Sequence, residues 1–298
     1  MFTGGVGLNT VLDPVRVPYN ADSGVSALTA TNNITLDDSG RPGRRTGQAL
    51  ITAGDFHTIF CDGGDCYVGK TTYLYQMGTD ESLRGVRSGM SGDRISMVQV
   101  NEDIYYGNGT DNGILRSGVS YVWPDQTTHV GGITNRRFSI APVGNHLAAG
   151  FGRMFIAEGP VVWYSEPFAF GKYDKTRCYI PFKSDVLMIK MVDSGAFFSD
   201  RKTTWFVRMK DLAPKDWDPK EVANYPVLEW SDAIDYVEGR EIGLAPGLCA
   251  LWASPEGAIL GTADGQLINL TKNNIVYDRT TVTGASLLHG YNFIHCME

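Results

Sequence analysis

The sequence has 298 residues and a formal net charge of −7 at pH 7, with 43% hydrophobic and 20% charged residues. A chain of this length can bury a full hydrophobic core, so we expect a single domain over residues 1–298 that needs neither metal ions nor disulfide bonds for stability. The acidic balance excludes a nucleic-acid-binding domain that relies on a broad basic surface. Glycine and proline make up about 16% of the chain, above the average of roughly 12%, which predicts many tight turns.

The N-terminal segment MFTGGVGLNT lacks the basic and apolar regions of a secretory signal, and no stretch reaches the roughly 18 apolar residues of a membrane helix. We therefore predict a protein that is made in the cytoplasm and has no membrane partner. The five cysteines are irregularly spaced, which is more typical of reduced thiols than of a disulfide framework. Cys61 and Cys66 flank a DGGD turn, which would let them face each other across a hairpin.

Strand patterns dominate the chain, and one unit recurs along it. The unit is an apolar run, a turn rich in Gly, Asp or Asn, and a second apolar run that ends in polar residues. It occurs five times, at 56–75, 95–107, 147–166, 186–207 and 248–271. The central turns follow one another at intervals of about 40 to 60 residues, a spacing typical of propeller blades.

Each unit supplies enough strands for a four-stranded blade, which must stack on neighbouring blades to bury both of its faces. We therefore predict an all-β fold, a β-propeller with five or six antiparallel blades. The segments 6–17 and 26–36, together with 274–296 at the C-terminus, would share one blade and close the ring. We interpret 211–230 as a polar insertion before the last unit. A β-sandwich is the alternative fold, but it explains the spacing of the hairpins less well.

Residues 64–71 fit the phosphate-binding pattern G-x-x-x-x-G-K-T, in which backbone N–H groups and a lysine hold phosphates. A helix follows such a loop in nucleotide-binding proteins, because its N-terminus supplies part of the anion site. Here the residues after Lys70, TTYLY at 71–75, are β-branched and aromatic and favour a strand. We interpret 64–71 as part of a glycine-rich hairpin and predict that it binds no nucleotide.

The other chemical patterns are incomplete. Residues 108–113 resemble the start of a calcium loop, but Val119 replaces the glutamate that the loop needs, so a hairpin turn is the better interpretation. The five histidines lack zinc-ligand spacing, and no nucleophile motif is present. Glu158 and Glu166 are left as a glycosidase-like pair, although such residues more often cap turns or face solvent. We predict no catalytic residues, no metal site and no cofactor.

The densest basic cluster consists of Arg41, Arg44 and Arg45 in DDSGRPGRRTG. Clustered arginines can contact phosphates, but arginines that flank a turn more often pair with carboxylates such as Asp37 and Asp38. We therefore predict a structural role for the three arginines. Five tryptophans lie in or beside strand units: Trp123, Trp163, Trp205, Trp230 and Trp252. Large aromatic side chains at such positions predict packing between blades.

Several segments resemble virion proteins of tailed phages. Residues 33–47, NITLDDSGRPGRRTG, are similar to an N-terminal pattern of these proteins, N-h-x-h-D-D-x-G-x-x-x-R-R-x-G, where h is apolar. The other similar segments are turn-plus-strand pieces: 104–110, 152–157 with 163–167, and 261–271. In order and type these pieces resemble the β-propeller tail proteins of short-tailed phages, the tail hub or nozzle class.

The resemblance implies a structural protein of the virion tail, made in the host cytoplasm. Its partners would be copies of itself, arranged as a ring with cyclic symmetry around the DNA-ejection conduit, and other phage tail proteins. DNA would pass through transiently without specific binding. In such a ring, Arg41, Arg44 and Arg45 would contact a carboxylate of the same chain or of a neighbouring subunit.

Two other functions are compatible with a propeller of this kind. One is a receptor- or glycan-binding propeller at the tail tip, which exposed aromatic side chains clustered at one mouth of the propeller would indicate. The other is a glycan-cleaving propeller enzyme, such as a sialidase-like protein, which close carboxylates with arginines in the central pocket would indicate.

Overall fold

A computed structural model describes residues 5–8, 19–20, 25–28, 34–36, 42–44, 52–62, 64–128, 136–237, 246–273, 275, 284–289 and 292–297. These residues are built almost entirely from β-strands, with a short 3-10 helix at Pro214–Asp216. Within this part of the chain, no helix is long and apolar enough to cross a membrane.

The first strands form two small sheets. β1 (Gly5–Leu8) pairs parallel with β3 (Val25–Leu28), and β3 also pairs antiparallel with β2 (Tyr19–Asn20). β4 (Ile34–Leu36) and β5 (Pro42–Arg44) form an antiparallel hairpin. At the other end of the chain, β26 (Gly284–His289) and β27 (Asn292–Met297) form a second hairpin.

Between these small sheets, five four-stranded antiparallel sheets follow one another along the chain, and the strands of each sheet pair in chain order. We name these sheets blades 1 to 5.

Blade 1 contains β6 (Phe56–Asp62), β7 (Asp65–Lys70), β8 (Tyr73–Met77) and β9 (Leu83–Arg87). Blade 2 contains β10 (Ser96–Val100), β11 (Asp103–Gly107), β12 (Asn112–Arg116) and β13 (Val119–Tyr121). Blade 3 contains β14 (His146–Gly150), β15 (Arg153–Glu158), β16 (Val161–Tyr164) and β17 (Tyr179–Pro181).

The last two blades are also four-stranded, with strands paired in chain order. Blade 4 contains β18 (Val186–Val192), β19 (Gly195–Asp200), β20 (Thr204–Arg208) and β21 (Pro219–Ala223). Blade 5 contains β22 (Ala233–Val237), β23 (Gly247–Ser254), β24 (Gly257–Gly261) and β25 (Leu267–Asn269). In blade 5 the predicted hairpin is formed by β23 and β24, so β22 is an additional strand in front of the repeating unit.

The central turns of the predicted units are all present as two-residue hairpin turns. The residue pairs that close them are Asp62 with Asp65, Val100 with Asp103, Gly150 with Arg153, Val192 with Gly195, and Ser254 with Gly257. At Phe151 and Gly152 the φ angles are 51° and 70°. Positive φ at both positions is the turn geometry whose twist matches that of the flanking strands.

Neighbouring blades pack face to face through one hydrophobic cluster at each junction. The clusters are centred on Tyr67 and Tyr106 between blades 1 and 2, Tyr105 and Met154 between blades 2 and 3, Phe155 and Phe198 between blades 3 and 4, and Phe197 and Trp252 between blades 4 and 5. Successive strand residues point to opposite faces of a sheet. Pairs of consecutive apolar residues, such as Met154 and Phe155, therefore make both faces of a blade apolar. The first strands β10, β14 and β18 also contact one another in order. This architecture is a β-propeller, which confirms the predicted fold.

The segment 211–230 is not an insertion between blades. Its residues Pro219–Ala223 form β21, the fourth strand of blade 4, paired with β20. Trp217 lies over the junction of blades 3 and 4, with its ring centroid 5.0 Å from that of Tyr164 and 5.8 Å from that of Phe155. The polar residues and prolines of this segment surround a short strand and one partly buried tryptophan, so the segment has no clear strand periodicity.

The predicted shared blade stays a prediction. Among the described residues, the N-terminal strands pair with one another and β26 pairs with β27. Most of 6–17 and much of 26–36 and 274–296 lie outside those residues. Closure of the ring by strands from both ends of the chain is therefore untested.

The expectation of reduced thiols is wrong for one pair of cysteines. Cys61 and Cys66 lie directly opposite each other in the β6–β7 register and form a disulfide bond. The hairpin turn brings these residues together, which the sequence indicated without predicting the bond. Cys178 and Cys249 are both buried.

Candidate functional site

A cavity of about 460 Å³ opens at one end of the blades. It is lined by Asp93, Arg94, Asn108, Gly109, Thr110, Asn145, Glu229 and Trp230. These residues precede β10, β14 and β22 or belong to the β11–β12 turn. Because antiparallel strands alternate in direction, the start of a first strand and the turn between the second and third strands lie at the same end of a blade. We call this site the axial cavity, because the first strands of neighbouring blades meet beneath it.

His146 orients two of the side chains that line the axial cavity. His146 is 5% exposed, and its Nε2–H donates a hydrogen bond to Oε1 of Glu229 at 3.1 Å. The ring of His146 also packs against the indole of Trp230, with the centroids 4.5 Å apart. Trp230 has a φ of 67°, which typically costs about 1–3 kcal/mol in a residue other than glycine. The surrounding contacts therefore hold Glu229 and Trp230 in defined positions.

Arg94 is anchored on the other side of the axial cavity. Its Nη1–H donates a hydrogen bond to the carbonyl oxygen of Gly284 at 2.6 Å. The N–H of Gly284 in turn donates to the carbonyl oxygen of Glu229 at 3.0 Å. The start of β26 therefore links the guanidinium group of Arg94 to the backbone of Glu229.

The calcium-like segment forms the turn that closes the axial cavity on the side of blade 2. Oδ1 of Asn108 accepts hydrogen bonds from the backbone N–H groups of Thr110 and Asp111, at 3.1 and 2.7 Å. Gly109 has a φ of 86°, and a Cβ at this position would lie 1.9 Å from Oδ1 of Asn145. Glycine is therefore required here, and the oxygen atoms of Asn108 stabilise a hairpin turn, as the sequence predicted.

The structure describes only one residue of the predicted arginine cluster. Arg44 is the last residue of β5, opposite Ile34 of β4, and it is exposed. Arg41 and Arg45 lie outside the described residues. The contacts of the cluster with carboxylates, in the same chain or in a neighbouring subunit, are therefore untested.

The nucleotide-binding pattern at 64–71 lies in a hairpin. Residues Asp65–Lys70 form β7, which pairs with β6 on one side and with β8 on the other. The backbone N–H groups that would hold phosphates are thus part of a β-sheet, and strand β8 occupies the place of the required helix. Nζ of Lys70 donates to the carbonyl oxygen of Ala53 at 3.0 Å and lies 4.9 Å from the ring centroid of Phe56.

We expect Lys70→Ala to have little effect, because an exposed contact between an ammonium group and an aromatic ring contributes about 0.5–1 kcal/mol. The thermal midpoint should change by only a few degrees, and neither the wild type nor the variant should bind Mg-ATP in isothermal titration calorimetry. ATP binding by the wild type that is lost in Lys70→Ala would contradict the hairpin interpretation.

The two members of the glycosidase-like pair have separate partners. Oε2 of Glu158 accepts a hydrogen bond from the indole N–H of Trp163 at 2.7 Å. Both carboxylate oxygens of Glu166 bind Arg136, which also donates from Nε to Asp174 at 2.8 Å. Burial raises the pKa of Glu166, but the hydrogen bonds and charge of Arg136 outweigh it, so the net pKa is lowered. A carboxyl held ionised in this way is unsuited to serve as the general acid of a glycosidase.

Cys178 borders the same group of charges. Burial and the adjacent Glu166 carboxylate raise the pKa of its thiol to about 11. Because the thiolate is the reactive form of cysteine, this residue lacks the activation of a catalytic nucleophile. In the described part of the chain, no three or more His, Cys, Asp or Glu side chains are grouped so that they could hold a metal ion.

The sequence did not indicate the residues that form the axial cavity. Trp230 was expected to pack between blades, as Trp123 and Trp252 do, but it lines the cavity. Arg94, His146 and Glu229 carry no motif, and they are brought together only when the blades stack. The one local signal is the pair Glu229-Trp230, which joins a carboxylate to an aromatic residue directly after an apolar run.

No family model matches the chain, and no curated protein matches it. Similar solved structures include a streptogramin B lyase, with a TM-score of 0.46 and 10% identity over 83% of this chain and 76% of that chain. A virginiamycin B lyase from Staphylococcus aureus has a TM-score of 0.43 and 10% identity over 72% of this chain and 69% of that chain. An auxiliary nutrient binding protein from Bacteroides thetaiotaomicron has a TM-score of 0.44 and 11% identity over 72% of this chain and 56% of that chain. At such identities the similarity concerns the fold alone and carries no argument about what this chain binds.

Proposed function

We propose that this protein is a structural component of a phage tail, where copies assemble as a ring around the DNA-ejection conduit. The observation that carries the proposal concerns 33–47, the segment with the most detailed resemblance to virion proteins. Its strands β4 and β5 pair with each other and with none of the described strands of the five blades. The segment 33–47 therefore resembles the virion proteins in a hairpin that does not belong to the repeating blades.

An isolated two-stranded hairpin is at best marginally stable in water. The β4–β5 hairpin therefore needs a surface to pack on, either on its own chain or on a neighbouring subunit. Arg44 at the end of this hairpin is exposed and carries a charge that a carboxylate on such a surface would pair with. In a ring with cyclic symmetry, every copy would offer the hairpin to the next copy in the same way.

The net charge of the chain supports passage of DNA without binding. Each copy has a formal net charge of −7, and a ring multiplies this value. A protein holds DNA chiefly through Lys and Arg side chains that neutralise phosphates and release counterions. An acidic ring lacks this source of affinity, as a conduit for DNA requires.

The proposal predicts that replacing Arg41, Arg44 and Arg45 together by alanine prevents ring formation while the blades stay folded. Assembly of the full chain is measured by light scattering coupled to size-exclusion chromatography and by negative-stain electron microscopy. The matched control replaces Arg84, Lys202 and Lys210, three exposed cations of the blades, by alanine. We expect rings for the wild type and the control, and monomers with a nearly unchanged thermal midpoint for the arginine variant.

Two results would contradict the proposal. One is a wild-type protein that stays monomeric at every concentration and in the presence of other tail proteins, and the other is unchanged rings in the arginine variant. Fluorescence anisotropy with a DNA duplex tests the predicted absence of binding at physiological salt. Salt-sensitive DNA binding that is lost in the arginine variant but kept in the control would make these arginines a nucleic-acid site.

A further inference from the structure

We infer that the axial cavity is a binding site for a neutral sugar, specifically for one pyranose ring of a saccharide. The inference rests on the side chains that face the cavity and is independent of the proposed ring assembly. The volume of about 460 Å³ lies within the range of roughly 300–1,000 Å³ that small-molecule sites occupy.

The lining of the axial cavity offers a hydrogen-bond acceptor and a hydrogen-bond donor, and each of these two side chains is held in place by another residue. The carboxylate of Glu229 accepts hydrogen bonds only, and the guanidinium group of Arg94 donates them only. Each group is anchored from behind, Glu229 by His146 and Arg94 by the carbonyl oxygen of Gly284. A hydroxyl group donates and accepts at once, so hydroxyls of one sugar ring can satisfy both groups together.

The indole of Trp230 supplies the apolar part of the site. The ring of the buried His146 packs against this indole, with the two ring centroids 4.5 Å apart. This contact limits the movement of the Trp230 side chain. A pyranose ring has a face of C–H groups that packs well on an aromatic surface, while its hydroxyls project from the edge. Asn145 and Thr110 are exposed at the rim of the cavity, where they can reach such hydroxyls.

The charges around the axial cavity favour an uncharged ligand. Asp93 and Glu229 are acidic, and Arg94 is basic. A ligand with a single charge would leave at least one of these groups facing a like charge, which is unfavourable in a partly desolvated site. A free amino acid, which carries one charge of each sign, is the strongest competitor and is therefore included in the test.

The experiment uses the full chain with glucose, galactose, mannose and N-acetylglucosamine as probes, and the zwitterionic amino acids alanine and serine as competitors. Saturation-transfer difference NMR detects contact, and isothermal titration calorimetry gives affinity. We expect at least one sugar to bind in the millimolar range, with about tenfold weaker binding in Glu229→Gln, because a hydrogen bond to a charged group is lost. Trp230→Ala should remove the C–H signals of the bound ring. Trp163→Ala, at a partly buried tryptophan that does not line the cavity, is the control and should bind as the wild type does.

Circular dichroism establishes that each variant is folded. If Glu229→Gln or Trp230→Ala does not fold, Asn145→Ala at the exposed rim replaces it, with severalfold weaker binding expected. The inference is overturned if no sugar binds the wild type, if the cavity variants bind as tightly as Trp163→Ala, or if only alanine or serine binds. Because none of these measurements depends on oligomerisation, failure of sugar binding leaves the proposed ring assembly intact, and monomeric protein that binds sugar leaves this inference intact.

Discussion

Replacing Trp252 by alanine is expected to lower the free energy of unfolding by about 3–5 kcal/mol. The Trp252 side chain is completely buried in the cluster between blades 4 and 5, with its ring centroid 5.4 Å from that of Phe197. Gly261 leaves the room for this ring, since a Cβ at Gly261 would lie 2.7 Å from the indole. Truncation to alanine removes apolar contacts and leaves a void that the close-packed blades cannot fill.

Trp252→Phe separates the loss of packing from the loss of the indole N–H. Nε1 of Trp252 is buried and has no hydrogen-bond partner among the described residues. An unsatisfied buried donor is itself unfavourable by about 1–3 kcal/mol, so its removal offsets part of the smaller void that phenylalanine leaves. Urea denaturation should therefore show a clearly smaller loss for Trp252→Phe than for Trp252→Ala. Equal losses would mean that the blade junction depends on the indole N–H and not on packing.

Replacing Arg136 by alanine is expected to lower the free energy of unfolding by about 3 kcal/mol at neutral pH. Arg136 binds the carboxylates of Glu166 and Asp174, whose side chains are 18% and 0% exposed. Without the guanidinium group, two carboxylates would be left close together and poorly solvated. The exposed pair of Arg201 and Asp185, with side chains 61% and 50% exposed, is the matched control, and Arg201→Ala should cost less than about 1 kcal/mol.

The effect of Arg136→Ala should also depend on pH. Burial raises the pKa of Asp174, but hydrogen bonds from Thr176 and Arg136 outweigh it, so the net pKa is lowered, as it is for Glu166. A lowered pKa in the folded state contributes stability at neutral pH that is lost as the pH falls through the folded pKa. The difference in unfolding free energy between the wild type and Arg136→Ala should therefore shrink from about pH 7 to about pH 2. A difference that stays constant or grows in acid would show that Arg136 acts through packing alone.

Much of the fold could be predicted from local sequence patterns. Each blade contains an apolar run, a two-residue turn and a second apolar run, and this pattern reflects contacts between residues close in the chain. Segment 211–230 was misinterpreted because β21 is short and contains Pro219, Lys220 and Glu221, which is typical of an edge strand but weak as a strand signal. Blade 5 was predicted without β22, since a strand in front of the hairpin has no counterpart in the other units.

The functional features of the protein likewise depend partly on local sequence and partly on how the sheets pack. The sequence by itself determined the blades, the hairpin nature of 64–71 and the acidic charge, because these depend on neighbouring residues or on composition. Only the tertiary structure decided the axial cavity, since Arg94, His146 and Glu229 belong to different blades and connections and share no motif. Stacking of the blades brings the starts of their first strands to one end, and the contact of Gly284 with Arg94 and Glu229 joins the two sides. Such long-range juxtaposition depends on how whole sheets pack against one another, which periodicity within a strand does not encode.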